Sequence, residues 1–306
     1  MTANGSNWRE LYPFDSHYLE IDSQRLHYLD EGRGPTLLLV HGNPTWSFYW
    51  RNLIVGLRDK YRVVVPDHIG CGLSDKPGGY SYCLAKHTEN LIELIDRLQL
   101  DQVTLLAHDW GGAIGLGAAL SRQERFSRFV LFNTGAFPPW FIPWRIRLCR
   151  MPLFGRLAVQ GLNLFGRAAL RMAVVKRKRM TPQVRRGLLA PYDSWAHRRA
   201  VFHFVKDIPG SRKHPTFRVL SDLEKQLSSL ANRPMMLAWG MRDWCFRPEC
   251  LDKFVEVFSE AEIHRFDDAG HYVVEDSHEQ ILPLVRDFLH RHSGGEPEPA
   301  ASQSNA

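Results

Sequence analysis

A chain of 306 residues with 44% hydrophobic and 11% aromatic content has ample apolar material for a sizeable core, which excludes disorder over most of its length. No apolar run approaches the roughly 20 residues that cross a bilayer, and the polar N-terminal residues 1–10 show no secretory signal. Net charge is a mild +6, but the basic residues crowd together between Arg145 and Arg186.

In chain order, two short runs at 18–21 and 26–29 predict a hairpin turning at Asp22-Ser23-Gln24. LLLV at 37–40 reads as a buried strand and RVVVPD at 62–67 as another. Residues 87–98 place Leu91, Ile92, Leu94, Ile95 and Leu98 on one helical face. VTLLA at 103–107 and FVLFN at 129–133 are further strands. This alternation signals βα units, and therefore an α/β fold with a mostly parallel twisted sheet flanked by helices. From residue 136 the pattern changes. Strand signals vanish until Pro234, and arginine, aromatics and helix formers take over. The sheet resumes with MMLAW at 235–239 and IHRF at 263–266, followed by an amphipathic helix at about 275–292. The expected organisation is a core from 1–135 and 234–292, a helical cap inserted at 136–233, and a low-complexity disordered tail at 293–306.

Five cysteines (Cys71, Cys83, Cys149, Cys245 and Cys250) are odd in number and scattered, which points to reduced thiols in a cytoplasmic protein. No cysteine–histidine spacing suggests a metal, and no cofactor is expected. Arg145, Arg147, Arg150, Arg156, Arg167, Arg171, the run 176–179, Arg185 and Arg186 fit a solvated helical face or one that meets a membrane surface or an acidic partner. No nucleic-acid motif accompanies them.

The segment VTLLAHDWGGAIG carries the chemistry. A hydrophobic strand runs into small residues and then a helix, the layout of a nucleophile elbow. The lifted residue is Asp109, not serine. A carboxylate displaces a leaving group from carbon and forms an ester, although Asp beside Gly is also a common helix N-cap. Three further segments sit where such an elbow needs them. His41-Gly42-Asn43-Pro44 follows the LLLV strand, where backbone N–H groups bind negative charge; Asn43 and the Trp110 indole add neutral donors. His271 follows the last strand and suits a general base. Asp243 follows MMLAW, where an acid orients that histidine. Taken alone, Asn43 is a turn residue, Trp110 a packing residue, His271 a surface histidine and Asp243 a loop carboxylate. Asn133 also ends a strand near this position, but an amide cannot balance an imidazolium, so Asp243 is preferred. Asp267, Asp268, Glu275 and Asp276 read as structural.

HGNPTWSFYWR, PDHIGCGLSDKP, AHDWGGAIG and AGHYVVED resemble the haloalkane dehalogenase branch of α/β-hydrolases over residues 12–292. Epoxide hydrolases share the Asp nucleophile, but carry an aromatic in place of Asn43 and two cap tyrosines, where this cap offers Tyr192 alone. The insertion motifs NTGAF, IPWRIRLCRMP, GLNLFGRAAL, LAPYDSW and DIP resemble the cap of bacterial β-lactone decarboxylases. Those enzymes turn cis-3-alkyl-4-alkyloxetan-2-ones into cis-alkenes and carbon dioxide in long-chain olefin biosynthesis, and they assemble with other enzymes of that pathway. The resemblance implies Asp109 as nucleophile, with His271 and Asp243 behind it. Asn43 and Trp110 would hold either a halide or the lactone's own departing carboxylate. First attack at the ring carbon bearing oxygen and first attack at the ring carbonyl both remain open. So does a haloalkane substrate, with His271 activating water against the ester. A catalytically silent scaffold is the remaining alternative, and an intact Asp109, Asp243 and His271 set argues against it.

Overall fold

A computed structural model describes residues 7–293; the tail expected from 293 onward therefore lies, apart from Ser293, outside the described residues. The strands are β1 (His17–Ile21), β2 (Gln24–Glu31), β3 (Thr36–Val40), β4 (Arg62–Pro66), β5 (Val103–Asp109), β6 (Phe126–Thr134), β7 (Met235–Gly240) and β8 (Glu262–Phe266). They form one sheet in the order β1-β2-β4-β3-β5-β6-β7-β8. β1 and β2 form an antiparallel hairpin in which Ile21 pairs with Gln24. The two loop residues, Asp22 and Ser23, both have positive φ, which matches the right-handed strand twist. β2 runs antiparallel to β4, and every later pairing is parallel.

Parallel strands covered on both faces are buried along their whole length, and β5 and β7 show this. Alternate residues feed two apolar layers. Leu38, Val40, Leu105 and Leu237 face the layer that also holds Leu94, Ile114 and Phe254. Leu37, Leu39, Leu106 and Met236 face the layer of Ile281, Val285 and Phe288. The flanking helices are α1 (Arg51–Leu57), α2 (Leu84–Arg97) and α3 (Trp110–Ser121) before the break in the sheet pattern.

Between β6 and β7 the chain forms α4 (Trp144–Cys149), α5 (Pro152–Gly155), α6 (Leu164–Met172), α7 (Pro182–Leu189), α8 (Arg199–Asp207) and α9 (Pro215–Gln226), with no strand among these described residues. Leu220 and Leu223 of α9, and Leu227 just after it, return to the layer over α2 and α3. The chain closes with α10 (Pro248–Val257) and α11 (Val273–Arg291). Among the described residues no helix is long and apolar enough to cross a membrane.

The arginines expected to face outward do not behave alike. Arg145 and Arg147 are exposed, but Arg150 is half-buried and its Nε has no partner among the described residues. Its helix ends against the rest of the insertion, which turns this one side chain inward. Leu153, an apolar residue of the same insertion, is 88% exposed.

Candidate active site

The elbow forms because β5 runs straight into α3 at Asp109, whose φ of +54° is strained for a residue with a side chain. Such a turn lifts the carboxylate out of the strand, and close neighbours hold it. A Cβ on Gly42 would overlap the Asp109 carboxylate, and one on Gly112 would overlap Thr134 Oγ1. Thr134 in turn donates to the Asp109 carbonyl. Asp109 Oδ1 accepts from the Asn43 backbone N–H at 2.6 Å. Oδ2 lies 3.4 Å from His271 Nε2. One carboxylate oxygen is therefore pinned, and the other faces the histidine.

His271 sits in the loop between β8 and α11, and its Nδ1 lies 2.8 Å from Asp243 Oδ2. Asp243 is placed just after β7 and also accepts from the Cys245 N–H at 2.6 Å. Asp109, Asp243, His271 and Asn43 are all buried. The structure thus brings Asp109, Asp243 and His271 together, each at or just past the end of its strand. Asp276, expected to be structural, accepts from the Gly270, Val175 and Lys176 N–H groups, and Glu275 pairs with Arg51.

Asn133 turns out to be a partner of the acid. Its Nδ2 donates to Asp243 Oδ2 at 3.0 Å and to the Gly240 carbonyl, while its Oδ1 accepts from the Gly240 N–H. The amide's mix of donor and acceptor is what this position uses. His108 was missed as well. Buried beside Tyr49, it lies 2.8 Å through Nε2 from the His271 carbonyl oxygen. Burial, helped by the charge on His271, pushes His108 down to about 3, so it is neutral and donates there. Its place beside Asp109 in the motif was the available signal.

Burial would by itself push the His271 pKa down. The charge of Asp243, the hydrogen bonds to Asp109 and Asp243 and the charge of Asp109 more than offset that and hold it at about 10. Burial likewise opposes ionisation of Asp109, but the His271 hydrogen bond and charge, His108 and the Asn43 N–H together keep its pKa below the ordinary carboxylate value. The α3 N-terminus also favours an anion there. His271 thus lies between two acidic side chains, in surroundings that favour its charged form.

The two side chains expected to donate to a leaving group differ. Asn43 Nδ2 donates to the Val201 carbonyl of α8 at 3.2 Å, and among the described residues its second hydrogen and its buried Oδ1 have no partner. The Trp110 indole N–H makes no hydrogen bond among the described residues, and its ring lies 5.7 Å from Phe204. Apolar cavities open from Asp109 and Trp110 between the sheet and the inserted helices. Phe137, Trp140, Phe141 and Ile142 line one, and Phe154, Leu164 and Phe165 the other. Tyr192 is buried away from them, donating to the Thr45 carbonyl. Among the described residues no group of three or more His, Cys, Asp or Glu side chains is arranged for a metal.

Residues 35–277 match the family described as alpha/beta hydrolase fold. A cis-3-alkyl-4-alkyloxetan-2-one decarboxylase of Shewanella oneidensis is 40% identical, the match covering 96% of this chain and 93% of the relative. A protein of the same name from Xanthomonas campestris is 41% identical over 87% of this chain and 92% of its own. Haloalkane dehalogenase 2 of Mycobacterium tuberculosis is 33% identical over 90% and 95%. In fold, the chain resembles a haloalkane dehalogenase from Agrobacterium tumefaciens C58 with a TM-score of 0.83 and 24% identity, covering 90% and 96% of the two chains.

Proposed function

Since the chain belongs to the α/β-hydrolase family, in its haloalkane dehalogenase-like branch, we propose that it is a β-lactone decarboxylase converting cis-3-alkyl-4-alkyloxetan-2-ones to cis-alkenes and carbon dioxide. The observation that carries this choice is the 40% identity to the Shewanella decarboxylase across 96% of the chain, inserted helices included. The site supplies the chemistry. Asp109 Oδ2 attacks the ring carbon bearing oxygen, the C–O bond breaks, and strain in the four-membered ring assists. The released carboxylate stays tethered to the neighbouring carbon and meets the Trp110 indole N–H and the free Asn43 hydrogen. Its C–C bond then breaks, the electron pair forms the alkene, and the ester bond to Asp109 breaks to restore the carboxylate. No water is consumed. Inversion at attack followed by anti elimination keeps the two alkyl groups cis.

In this reaction Asp243 and His271 act by charge and position, and residues 136–233 act as a cap over Asp109. The cap also gives the protein a surface. Between Glu124 and Asp193 the sequence holds no Asp or Glu, while residues 136–192 hold 12 Lys and Arg. Exposed Trp144, Leu153, Leu157 and Leu162 stand among these charges. A cytoplasmic enzyme whose cap rests on an anionic membrane surface, or on another enzyme of an olefin pathway, receives water-insoluble substrates this way.

The mycobacterial relative named haloalkane dehalogenase 2 favours a second reading, hydrolysis of a haloalkane through an alkyl–Asp109 ester that His271 clears with water. One preparation given a cis-dialkyl oxetanone and a bromoalkane in parallel, with alkene and bromide both measured, decides the matter. Alkene without comparable bromide is the expected result; bromide with no alkene overturns the decarboxylase reading.

A further inference from the structure

Two apolar cavities, not one, meet at Asp109 and Trp110. The first, about 120 Å³, is walled by Phe137, Phe141, Ile142, Leu220 and Phe246. The second, about 330 Å³, is walled by Leu148, Leu164, Phe165, Ala168 and Met172. Helix α4 is the partition between them. Ile146 on that helix borders both cavities, as do Ile208 and Cys245, while Ile142 and Pro143 ahead of the helix border the first arm and Trp144, Leu148 and Cys149 of the helix border the second. Asn43 and His271 border the second arm, so the polar end of the site lies at the fork and on that side. Further out the first arm is apolar up to Arg247, whose guanidinium lies 3.8 Å over the Phe141 ring.

A substrate with one alkyl chain leaves one arm of such a fork unfilled. A cis-3,4-disubstituted oxetanone has two chains leaving adjacent carbons on the same face of a small rigid ring. We propose that the active site is bifurcated, with the ring held at Asp109 and one alkyl chain of the lactone seated in each arm, so that the two chain lengths are selected separately. This rests on the lactone reading. The unequal volumes make the second arm the seat of the longer chain, because each methylene placed in apolar surroundings adds to binding.

The experiment uses two cis-oxetanones that are regioisomers, a long chain at C3 with methyl at C4 and the reverse. Ile142→Trp narrows the first arm and Ala168→Phe the second. Each variant should lower kcat/KM for one regioisomer by about tenfold or more, leave the other within about twofold, and the two variants should penalise opposite regioisomers. Phe141→Ala and Phe165→Ala, which widen the same arms, should shift selectivity the other way and serve if a narrowed protein fails to fold. Both narrowed variants penalising the same regioisomer, or treating the two alike, overturns the fork. Binding of the same lactones to Asp109→Ala separates the two ideas. Arm-selective binding without turnover by the native protein defeats the reaction and leaves the fork standing. Turnover without arm selectivity defeats the fork and leaves the reaction standing.

Discussion

Asp109 and His271 set one another's charge. The imidazolium is held at about 10 against its own burial, first by Asp243 and then by Asp109. Removing the Asp109 charge must therefore lower the His271 pKa. In Asp109→Asn, a titration of the imidazole followed by nitrogen NMR should place it below the native value. An unchanged value would mean that Asp243 alone holds the proton. An ester on Asp109 would remove the same charge, so in either proposed reaction His271 would become a competent base only after the first step. That ordering suits a dehalogenase, which needs water activated at that moment, and leaves a decarboxylase little use for the base. His271→Ala should accordingly lower lactone turnover without trapping an ester. If bromoalkane is a true substrate, the same variant should gain one alkyl group by intact-protein mass spectrometry with stoichiometric bromide release. Asp109→Ala should lower lactone turnover by about a thousandfold or more, because no other carboxylate reaches the same carbon. Substantial activity in the pure variant would remove Asp109 as nucleophile.

At the scale of elements, the elbow depends on how closely α3 approaches β6. Alanine normally favours a helix interior over glycine by about 1 kcal/mol. At Gly112 the added methyl would meet Thr134, the residue that donates to the Asp109 carbonyl. Gly112→Ala should therefore destabilise by about 1–3 kcal/mol despite the propensity gain, measured by urea unfolding, and should cost activity with it. Equal or higher stability would show that the helix can shift without disturbing the turn. The strand-to-helix passage was readable because a hydrophobic strand, a carboxylate and small residues occur in one short run, and the order of the strand ends then located Asn43, Asp243 and His271. Contacts between segments distant in the chain were not readable in that way. His108 of β5 reaches the carbonyl of His271 in the loop after β8, and Asn133 of β6 reaches Asp243 in the loop after β7, so no local spacing records either pair. The insertion was legible as helical from its composition, but the fork was not. It depends on which way Ile146 faces once α4 is packed, and Leu153 shows that apolar identity alone does not assign a residue to a cavity.

Across the whole molecule, buried histidines set opposite limits on stability. Burial pushes His87 and His108 down from 6.5 to about 3, so they stay neutral while the unfolded chain takes up protons as pH falls through that window, and stability is lost there. His271 acts in reverse. Its contribution is fully present below 6.5 and is lost as pH rises toward about 10. His87 stacks on Phe204 at 4.5 Å with both ring nitrogens unpartnered among the described residues, so His87→Leu should flatten the acid side of a plot of Tm against pH. An acid side as steep as the native one would exclude it as a source. The outer surface supports a separate expectation. Exposed Leu153, Phe154 and Leu157 would enter the boundary of a lipid layer, while Arg147, Arg167 and Arg171, all exposed, would meet anionic headgroups. Arg150 is half-buried, and Arg145 borders the second arm with its guanidinium 5.1 Å from the Trp144 ring, so neither is a clean probe of the surface. Glutamate at positions 147, 167 and 171 together should abolish sedimentation with phosphatidylglycerol-containing vesicles, because each basic side chain near such a surface contributes about 1 kcal/mol. Turnover of a short, water-soluble cis-lactone should stay within about twofold of native, since none of the three borders either cavity. Native protein that never sediments with the vesicles would exclude the membrane as the partner of the cap. A folded triple variant that loses the short lactone would instead place these arginines in the workings of the site.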